Sequence, residues 1–261
     1  MKIPIYQVDA FTSKVFSGNP AAVCLLDAWI DDALLQSIAA ENNLSETAFL
    51  VQTGNGFDLR WFTPMTEVAL CGHATLASAF VLQVCRNWPE TSIRFKTRKS
   101  GQLVVTKRDD FFDMDFPARP TSAQDLPDGL KEALGVEPEK AFGSAEDLMV
   151  VLNSEDAVRQ VRPNFTALEQ IACRGIIITA RGDRSDFVSR FFAPRVGIKE
   201  DPVTGSAHCV LIPYWAATLG KNNLHALQVS ERGGTLFCKQ AGKRVIISGK
   251  AALYFEGTII V

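Results

Sequence analysis

Two segments of the sequence are suited to binding a small anion. Gly72-His73 and Gly205-Ser206 each begin a long apolar stretch typical of a buried helix. The first N–H groups of a helix have no intrahelical acceptor and lie at the positive end of the macrodipole, so a helix start binds carboxylates. A single glycine there is also typical of a tight turn, but two equivalent helix starts in one chain favour a ligand-binding role. We predict that the amides of Gly72, His73, Gly205 and Ser206 bind one carboxylated small molecule at a shared site.

Glu46 is a candidate for proton transfer. It stands where a helix and loop give way to the apolar segment TAFLV at residues 47–51. A solvated glutamate at an element boundary is the structural alternative. The matching segment of the second half, CRGII at residues 173–177, contains no carboxylate. A residue present in one half only is not required by a shared fold, so we predict a functional role. A carboxylate can take a proton from carbon and return it elsewhere.

His73 and Asp201 flank the two glycines. A histidine at a helix N-terminus is disfavoured as the cation, so we expect a neutral His73 that donates or accepts a hydrogen bond. Asp201 precedes Pro202, where an aspartate also serves as a turn residue. A packed histidine and a turn aspartate are therefore the structural alternatives for these two positions.

An internal repeat must position these residues. RWFTP at residues 60–64 is repeated as RFFAP at 190–194, and CGHAT at 71–75 corresponds to TGSAH at 204–208. Both copies occur in the same order, about half a chain apart. Missing such a duplication would misassign the whole fold. The repeat indicates two pseudo-symmetric domains, with a bound ligand shared between them.

The predicted elements follow the same order in each half. The first half has a helix over 31–41, a buried helix over 72–85, and strands near 5–9, 22–26, 46–51, 57–62, 92–96, 103–107 and 111–115. The second has a helix near 165–172, strands over 176–179 and 187–192, a buried helix from Gly205, and further strands. Pro117 and Pro120 mark the junction. We predict an α+β fold with domains 1–118 and 119–261, each a curled, mostly antiparallel sheet or barrel around a central apolar helix. The last strand is a candidate to return to the first domain.

Composition excludes several classes of protein. The 261 residues include 47% hydrophobic and 21% charged residues, with a net charge of −2 and no basic run, which argues against nucleic-acid binding. The uncharged stretches 68–85 and 202–220 are read as buried helices rather than membrane spans. Six cysteines without a C-x-x-C pair indicate reduced thiols and a cytoplasmic location, and three histidines in no ligand-spaced pair argue against a metal site.

Five sequence blocks resemble the signature of a known family. They are VDAFT at 8–12, FSGNPAAV at 16–23, LSETAF at 44–49, CGHAT at 71–75 and EDPVTGSA at 200–207. In this order they are similar to the PhzF-like isomerases, which are related to phenazine biosynthesis and share the diaminopimelate-epimerase-like fold. The resemblance implies two barrel-around-a-helix halves, no cofactor and a homodimer.

The resemblance also implies residue roles. The family's glutamate acid/base corresponds to Glu46, and His73 and Asp201 correspond to residues that shuttle or stabilise charge opposite it. Ser206 would contribute its amide and its hydroxyl. We therefore predict a cofactor-independent isomerase that moves a proton and a double bond within a small carboxylated metabolite.

Two alternatives stay open. Amino-acid epimerases and racemases of this fold use one cysteine from each half as opposed bases. Cys71 matches the first position, but the repeat places Thr204 at the second, and a hydroxyl is too weakly acidic to replace a thiolate. Cys71 is therefore expected to be structural. The other alternative is a non-catalytic ligand-binding or adaptor protein, since a protein can keep a fold and its site residues after losing the activity.

Overall fold

The chain forms two units in the computed structural model, which describes residues 1–261. Unit 1 comprises Met1–Asp115 and Ser248–Val261, and unit 2 comprises Phe116–Ile247. The strands are β1 (Lys2–Ala10), β2 (Asn19–Leu26), β3 (Glu46–Thr53), β4 (Gly56–Phe62), β5 (Glu67–Val68), β6 (Ser92–Thr97), β7 (Gln102–Arg108), β8 (Phe111–Pro117), β9 (Ser122–Gln124), β10 (Lys140–Gly143), β11 (Asp147–Val151), β12 (Gly175–Arg181), β13 (Phe187–Ala193), β14 (Ile198–Asp201), β15 (Asn223–Gln228), β16 (Gly234–Ala241), β17 (Arg244–Gly249) and β18 (Ala251–Ile260). The helices are α1 (Asp32–Asn42), α2 (Gly72–Phe80), α3 (Leu130–Leu134), α4 (Glu155–Gln160), α5 (Phe165–Leu168) and α6 (Gly205–Leu219).

Strand pairing in the two units follows one plan. In unit 1, β1 is antiparallel to β18 and β2, β2 is parallel to β3, and β3 is antiparallel to β4. Strand β4 is then antiparallel to β5 and parallel to β6, which continues into antiparallel β7. In unit 2, β10 to β16 repeat this sequence of pairings. Helices provide the crossovers that parallel neighbours require: α1 and α2 in unit 1, and α4, α5 and α6 in unit 2.

Each sheet curls around one apolar helix. Helix α2 contacts β18 and β1 near one end of the unit 1 sheet and β7 near the other, so the sheet wraps around it. Helix α6 contacts β11, β15 and β16 of unit 2. Nearly every side chain of α2 is buried, which explains its uncharged sequence. The predicted α+β class is confirmed, and no helix is both long and apolar enough to span a bilayer.

Some element boundaries differ from the prediction. Helix α2 ends at Phe80 and continues as a π-helical turn over Val81–Cys85. The helix predicted over 165–172 is only the short α5, because a tight turn in which the Cys173 amide bonds the Ile171 carbonyl breaks the pattern. Helices α3 and α4 were not predicted, since each has fewer than two turns and gives little periodicity.

The repeated arginines form equivalent ion pairs inside the two units. Arg60 donates to both carboxylate oxygens of Glu67, at 2.8 and 2.9 Å, and Arg190 donates to Glu200 at the same distances. Each guanidinium also lies over the phenylalanine two residues later, 5.0 Å from the Phe62 ring and 4.9 Å from the Phe192 ring. The arginine of the RWFTP and RFFAP motifs therefore ties β4 to β5 in unit 1 and β13 to β14 in unit 2.

We predict that His208 makes unit 2 sensitive to mild acid. His208 is fully buried in α6, where its Nδ1 lies 2.8 Å from the Thr204 carbonyl oxygen, and burial lowers the pKa of His208 to about 4. An unfolded histidine titrates near 6.5, so between the two values only the unfolded chain binds the proton. The contribution of His208 to the free energy of unfolding is therefore fully present above about pH 6.5. About 3 kcal/mol of it is lost as the pH drops toward 4.

Urea unfolding of the wild type and of His208→Gln, at pH 7 and at pH 4.5, measures this contribution. The variant should lose less stability than the wild type on acidification, because glutamine does not titrate. Equal losses in the two proteins would show that other groups cause the acid sensitivity.

Candidate active site

Glu46 is held at the first position of β3. Helix α1 ends with Asn43 in a left-handed conformation, and the chain then turns into β3, where Glu46 pairs with Ala21 of the parallel strand β2. The Glu46 side chain is 12% exposed, and its Oε2 lies 3.1 Å from Nε2 of His73. The Oε2 atom is buried and has no well-aligned hydrogen bond. Glu46 is thus a largely buried carboxylate with one imidazole neighbour and unused acceptor capacity.

His73 lies in the first turn of α2, beside Glu46. Burial opposes its charged form, but the negative charges of ionised Cys71 and of Glu46 outweigh burial and raise the pKa of His73 well above its usual value. Burial raises the pKa of the Cys71 thiol to about 11, so this thiol is uncharged at neutral pH and does not contribute a charge beside His73 there. The neutral state expected for His73 stays a prediction, because burial favours it whereas the Glu46 carboxylate beside Nε2 favours the cation. Glu46 and His73 form a close carboxylate–imidazole pair.

Cys71 belongs to the same group of side chains. It is the extended N-cap residue of α2 and is 7% exposed. Its Sγ lies 3.5 Å from Nδ1 and 4.0 Å from Nε2 of His73. The sequence indicated a structural role for Cys71, but its thiol directly contacts the histidine of the predicted site.

Asn19 is a further neighbour that the sequence analysis did not single out. Its side-chain Nδ2 lies 3.2 Å from Nδ1 of His73, and the residue is fully buried. The preceding Gly18 has a φ of +69°, and a Cβ there would overlap the carbonyl oxygen of Ala10. Only glycine therefore allows the β1–β2 loop to place Asn19 against the histidine. The SGNP part of the second sequence block was the available signal.

The helix start of unit 1 provides the amides that the sequence predicted. Gly72 and His73 are the first two residues of α2, and the N-cap Cys71 provides no conventional side-chain cap. Their N–H groups have no acceptor within the helix. Unit 1 thus brings together four predicted features: Gly72, His73, Glu46 and a helix N-terminus.

Unit 2 places Asp201, Gly205 and Ser206 around the start of α6. The Thr204 hydroxyl donates a 2.6 Å hydrogen bond to Oδ2 of Asp201. The buried Gln228 accepts from the Thr204 amide at 2.9 Å and donates to the Asp201 carbonyl at 2.8 Å. Asp201 is therefore oriented by a hydrogen-bonded network as well as by the turn that its sequence suggested.

Arg174 is a second residue that the sequence analysis missed. Its guanidinium donates to both carboxylate oxygens of the buried Asp147, at 2.9 and 2.5 Å, and to the Ser206 hydroxyl at 3.2 Å. Arg174 comes directly before β12, at the position that Ser45 occupies before β3. Only an alignment of the two repeats could therefore have indicated Arg174.

The two units differ in chemistry at equivalent positions. In unit 1, Glu46 pairs with Ala21, whereas in unit 2 Gly175 pairs with Asp147. Cys71 and Thr204 are the equivalent N-cap residues of α2 and α6. The carboxylate, thiol and imidazole group therefore occurs in unit 1 alone.

Comparisons with known proteins agree with the fold. Residues 8–257 match a protein family described as phenazine biosynthesis-like protein, PhzC-PhzF. A Pseudomonas aeruginosa protein called an uncharacterized isomerase is 53% identical over 99% of both chains. The crystal structure of a PhzF family protein from Enterococcus faecalis covers 100% of both chains with a TM-score of 0.97 and 46% identity. A hydroxyproline epimerase from Agrobacterium vitis covers 99% of this chain and 92% of its own, with a TM-score of 0.65 and 10% identity, and so shares the fold alone.

Proposed function

Because the chain belongs to the phenazine biosynthesis-like PhzF family, we propose that it is an isomerase that uses Glu46 as its acid/base. The substrate is a small carboxylated metabolite in which a proton and a double bond change position, and the reaction needs no cofactor. One observation carries this proposal: the buried Glu46 Oε2, with unused acceptor capacity, 3.1 Å from His73 at the start of α2. The isomerase name of the Pseudomonas aeruginosa relative supports the same class of reaction.

The proposed reaction is a proton transfer in two halves. The Glu46 carboxylate accepts a proton from a substrate C–H bond, and the electron pair of that bond shifts along the adjacent double bond. The resulting carboxylic acid then returns the proton to the far carbon, so the substrate gains and loses one proton without net oxidation. His73 orients this carboxylate, since its Nε2 lies 3.1 Å from Oε2 of Glu46. The amides of Gly72 and His73 bind the substrate carboxylate.

In unit 2 we propose that Gly205 and Ser206 provide further amide donors and that Asp201 is a second proton-transfer group. Asp201→Asn is expected to lower kcat by about 100-fold with little change in KM, because an amide cannot exchange a proton. Asp183→Asn is the matched control, since Asp183 is an exposed aspartate of the same unit. An increase in KM alone would assign Asp201 to substrate binding instead.

The epimerase alternative has less support from the geometry. A two-thiol mechanism needs a second cysteine, yet the N-cap residue of α6 is Thr204. Cys209 lies within α6, where burial raises the pKa of its thiol to about 12. Such a thiol is a poor source of thiolate at neutral pH.

Solvent exchange tests the proposal. A thermal-shift screen of small aromatic carboxylates and amino acids identifies compounds that stabilise the protein, and each is then incubated with the enzyme in D₂O. We expect deuterium in a product whose double bond has moved, detected by NMR and mass spectrometry. Inverted configuration with an unchanged bond order would indicate an epimerase. Absence of exchange with every stabilising compound would favour a non-catalytic binding protein.

A further inference from the structure

Three different metal-ligating atoms converge in unit 1. The ligand atoms of Glu46, Cys71 and His73 all lie within 4.8 Å of one another. We propose that these three side chains form a site for one borderline-soft divalent cation of the Zn²⁺ class. The sequence argued against such a site because no two histidines share ligand spacing. The fold instead supplies the ligands from β3, the N-cap of α2 and its first turn.

The distances fit a tetrahedral ion. Zinc bonds of about 2.3 Å to sulfur and about 2.0–2.2 Å to nitrogen and oxygen place neighbouring ligand atoms roughly 3.3–3.6 Å apart. Here Nε2 of His73 is 3.1 Å from Oε2 of Glu46 and 4.0 Å from Sγ of Cys71. The third separation, between the Cys71 sulfur and a Glu46 carboxylate oxygen, is no more than 4.8 Å. Side-chain shifts of about 1 Å or less would therefore bring the three atoms to three corners of the tetrahedron, and a water molecule can provide the fourth.

The outer contacts also suit a metal ligand. Ligating histidines usually bond their second ring nitrogen to a polar partner, which fixes the ring. Asn19 faces Nδ1 of His73 with its amide nitrogen, at 3.2 Å, and Nε2 faces Glu46. Metal binding through Nε2 requires this amide to turn over, so that its oxygen accepts from an Nδ1–H group.

The donor set determines which metal is favoured. A thiolate, an imidazole and a carboxylate together suit Zn²⁺, whereas Mg²⁺ and Ca²⁺ prefer oxygen ligands throughout. The ionised Cys71 and Glu46 carry two negative charges that balance the dication. The metal replaces the thiol proton of Cys71 and any proton on Nε2 of His73, and these protons leave to solvent.

The second unit provides an internal comparison. The positions equivalent to Glu46, Cys71 and His73 are Gly175, Thr204 and Ser206, which do not make such a ligand set. We therefore expect one metal ion per chain. If Glu46 is the isomerase base, as proposed above, the bound ion also blocks proton transfer, and a chelator restores it.

Cobalt provides a test that does not depend on activity, because Co²⁺ bound to a thiolate has an intense sulfur-to-metal charge-transfer absorption. Titration of the full chain with Co²⁺ should produce this band at one equivalent, and Zn²⁺ should remove it. Cys71→Thr, which inserts the residue found at the equivalent position, should weaken Co²⁺ binding by more than about 100-fold, beyond the loss typical of an outer contact. Cys71→Ser is a second variant in case the first is unstable.

Cys85→Ser is the matched control, since Cys85 is a partly exposed thiol outside the group. It should keep the band at full intensity. The proposal is overturned if the wild type shows no band, if the folded Cys71 variants keep it, or if Cys85→Ser loses it. A cobalt band, together with no solvent exchange in the chelator-treated, metal-free protein, would leave the metal site standing and reject only the isomerase.

Discussion

Glu46→Gln is expected to slow solvent-deuterium incorporation into the true substrate by about 10²–10⁴-fold, the usual contribution of a positioned general base. Glutamine has nearly the same shape as glutamate and can still contact Nε2 of His73, but it cannot accept a proton from carbon. Substrate affinity should change little, because the proposed carboxylate donors are the amides of Gly72 and His73. Mass spectrometry of the deuterated product gives the rate, and thermal shift gives the binding.

Glu41→Gln is the control for this prediction. Glu41 is an exposed glutamate in α1, five residues before Glu46, so its replacement makes the same chemical change without touching the site. It should exchange at the wild-type rate. Undiminished exchange in Glu46→Gln would remove Glu46 from the mechanism.

Arg190→Met is expected to lower the free energy of unfolding by about 3–5 kcal/mol, as happens when one partner of a buried ion pair is removed. The Arg190 side chain is 10% exposed, and besides Glu200 its Nη1 donates to the carbonyl oxygens of Val158 and Val161. Methionine fills part of the volume but leaves the carboxylate and two carbonyl groups without their donor.

Two further variants separate the effect of the Arg190–Glu200 charges on stability from the effect of side-chain packing around them. Arg190→Met combined with Glu200→Met should recover part of the loss, because both members of the pair then become apolar. Arg181→Met, an exposed arginine at the end of β12, should cost less than about 0.5 kcal/mol. Urea unfolding of the four proteins measures these differences. A loss below about 1 kcal/mol for Arg190→Met would show that the ion pair contributes little.

The duplication could be predicted because the two copies share residue types at matching positions and keep their motifs in the same order. RWFTP and RFFAP indicate the same strand end in each half, and the uncharged stretches after Gly72 and Gly205 indicate two buried helices. The partners of the arginines could not be found in this way. Glu67 and Glu200 follow them by seven and ten residues, so a small insertion hides their equivalence.

The site could be predicted only in part. Glu46 and His73 were singled out separately, and their contact depends on how β3 lies beside α2. The neutral His73 was predicted from the helix terminus alone, and the carboxylate that lies beside it could not be inferred from spacing. Cys71 turns toward His73 because the N-cap backbone is extended, which the sequence does not report.

The division of unit 1 into two chain segments affects the order in which the protein forms. Its strand β18 lies beside β1 and contacts α2, yet residues 248–261 follow the whole of unit 2 in the chain. During synthesis, the continuous unit 2 can therefore complete its sheet while unit 1 still lacks one strand. The sheet of the unit that carries Glu46 and His73 is therefore completed only after the whole of unit 2 has been synthesised.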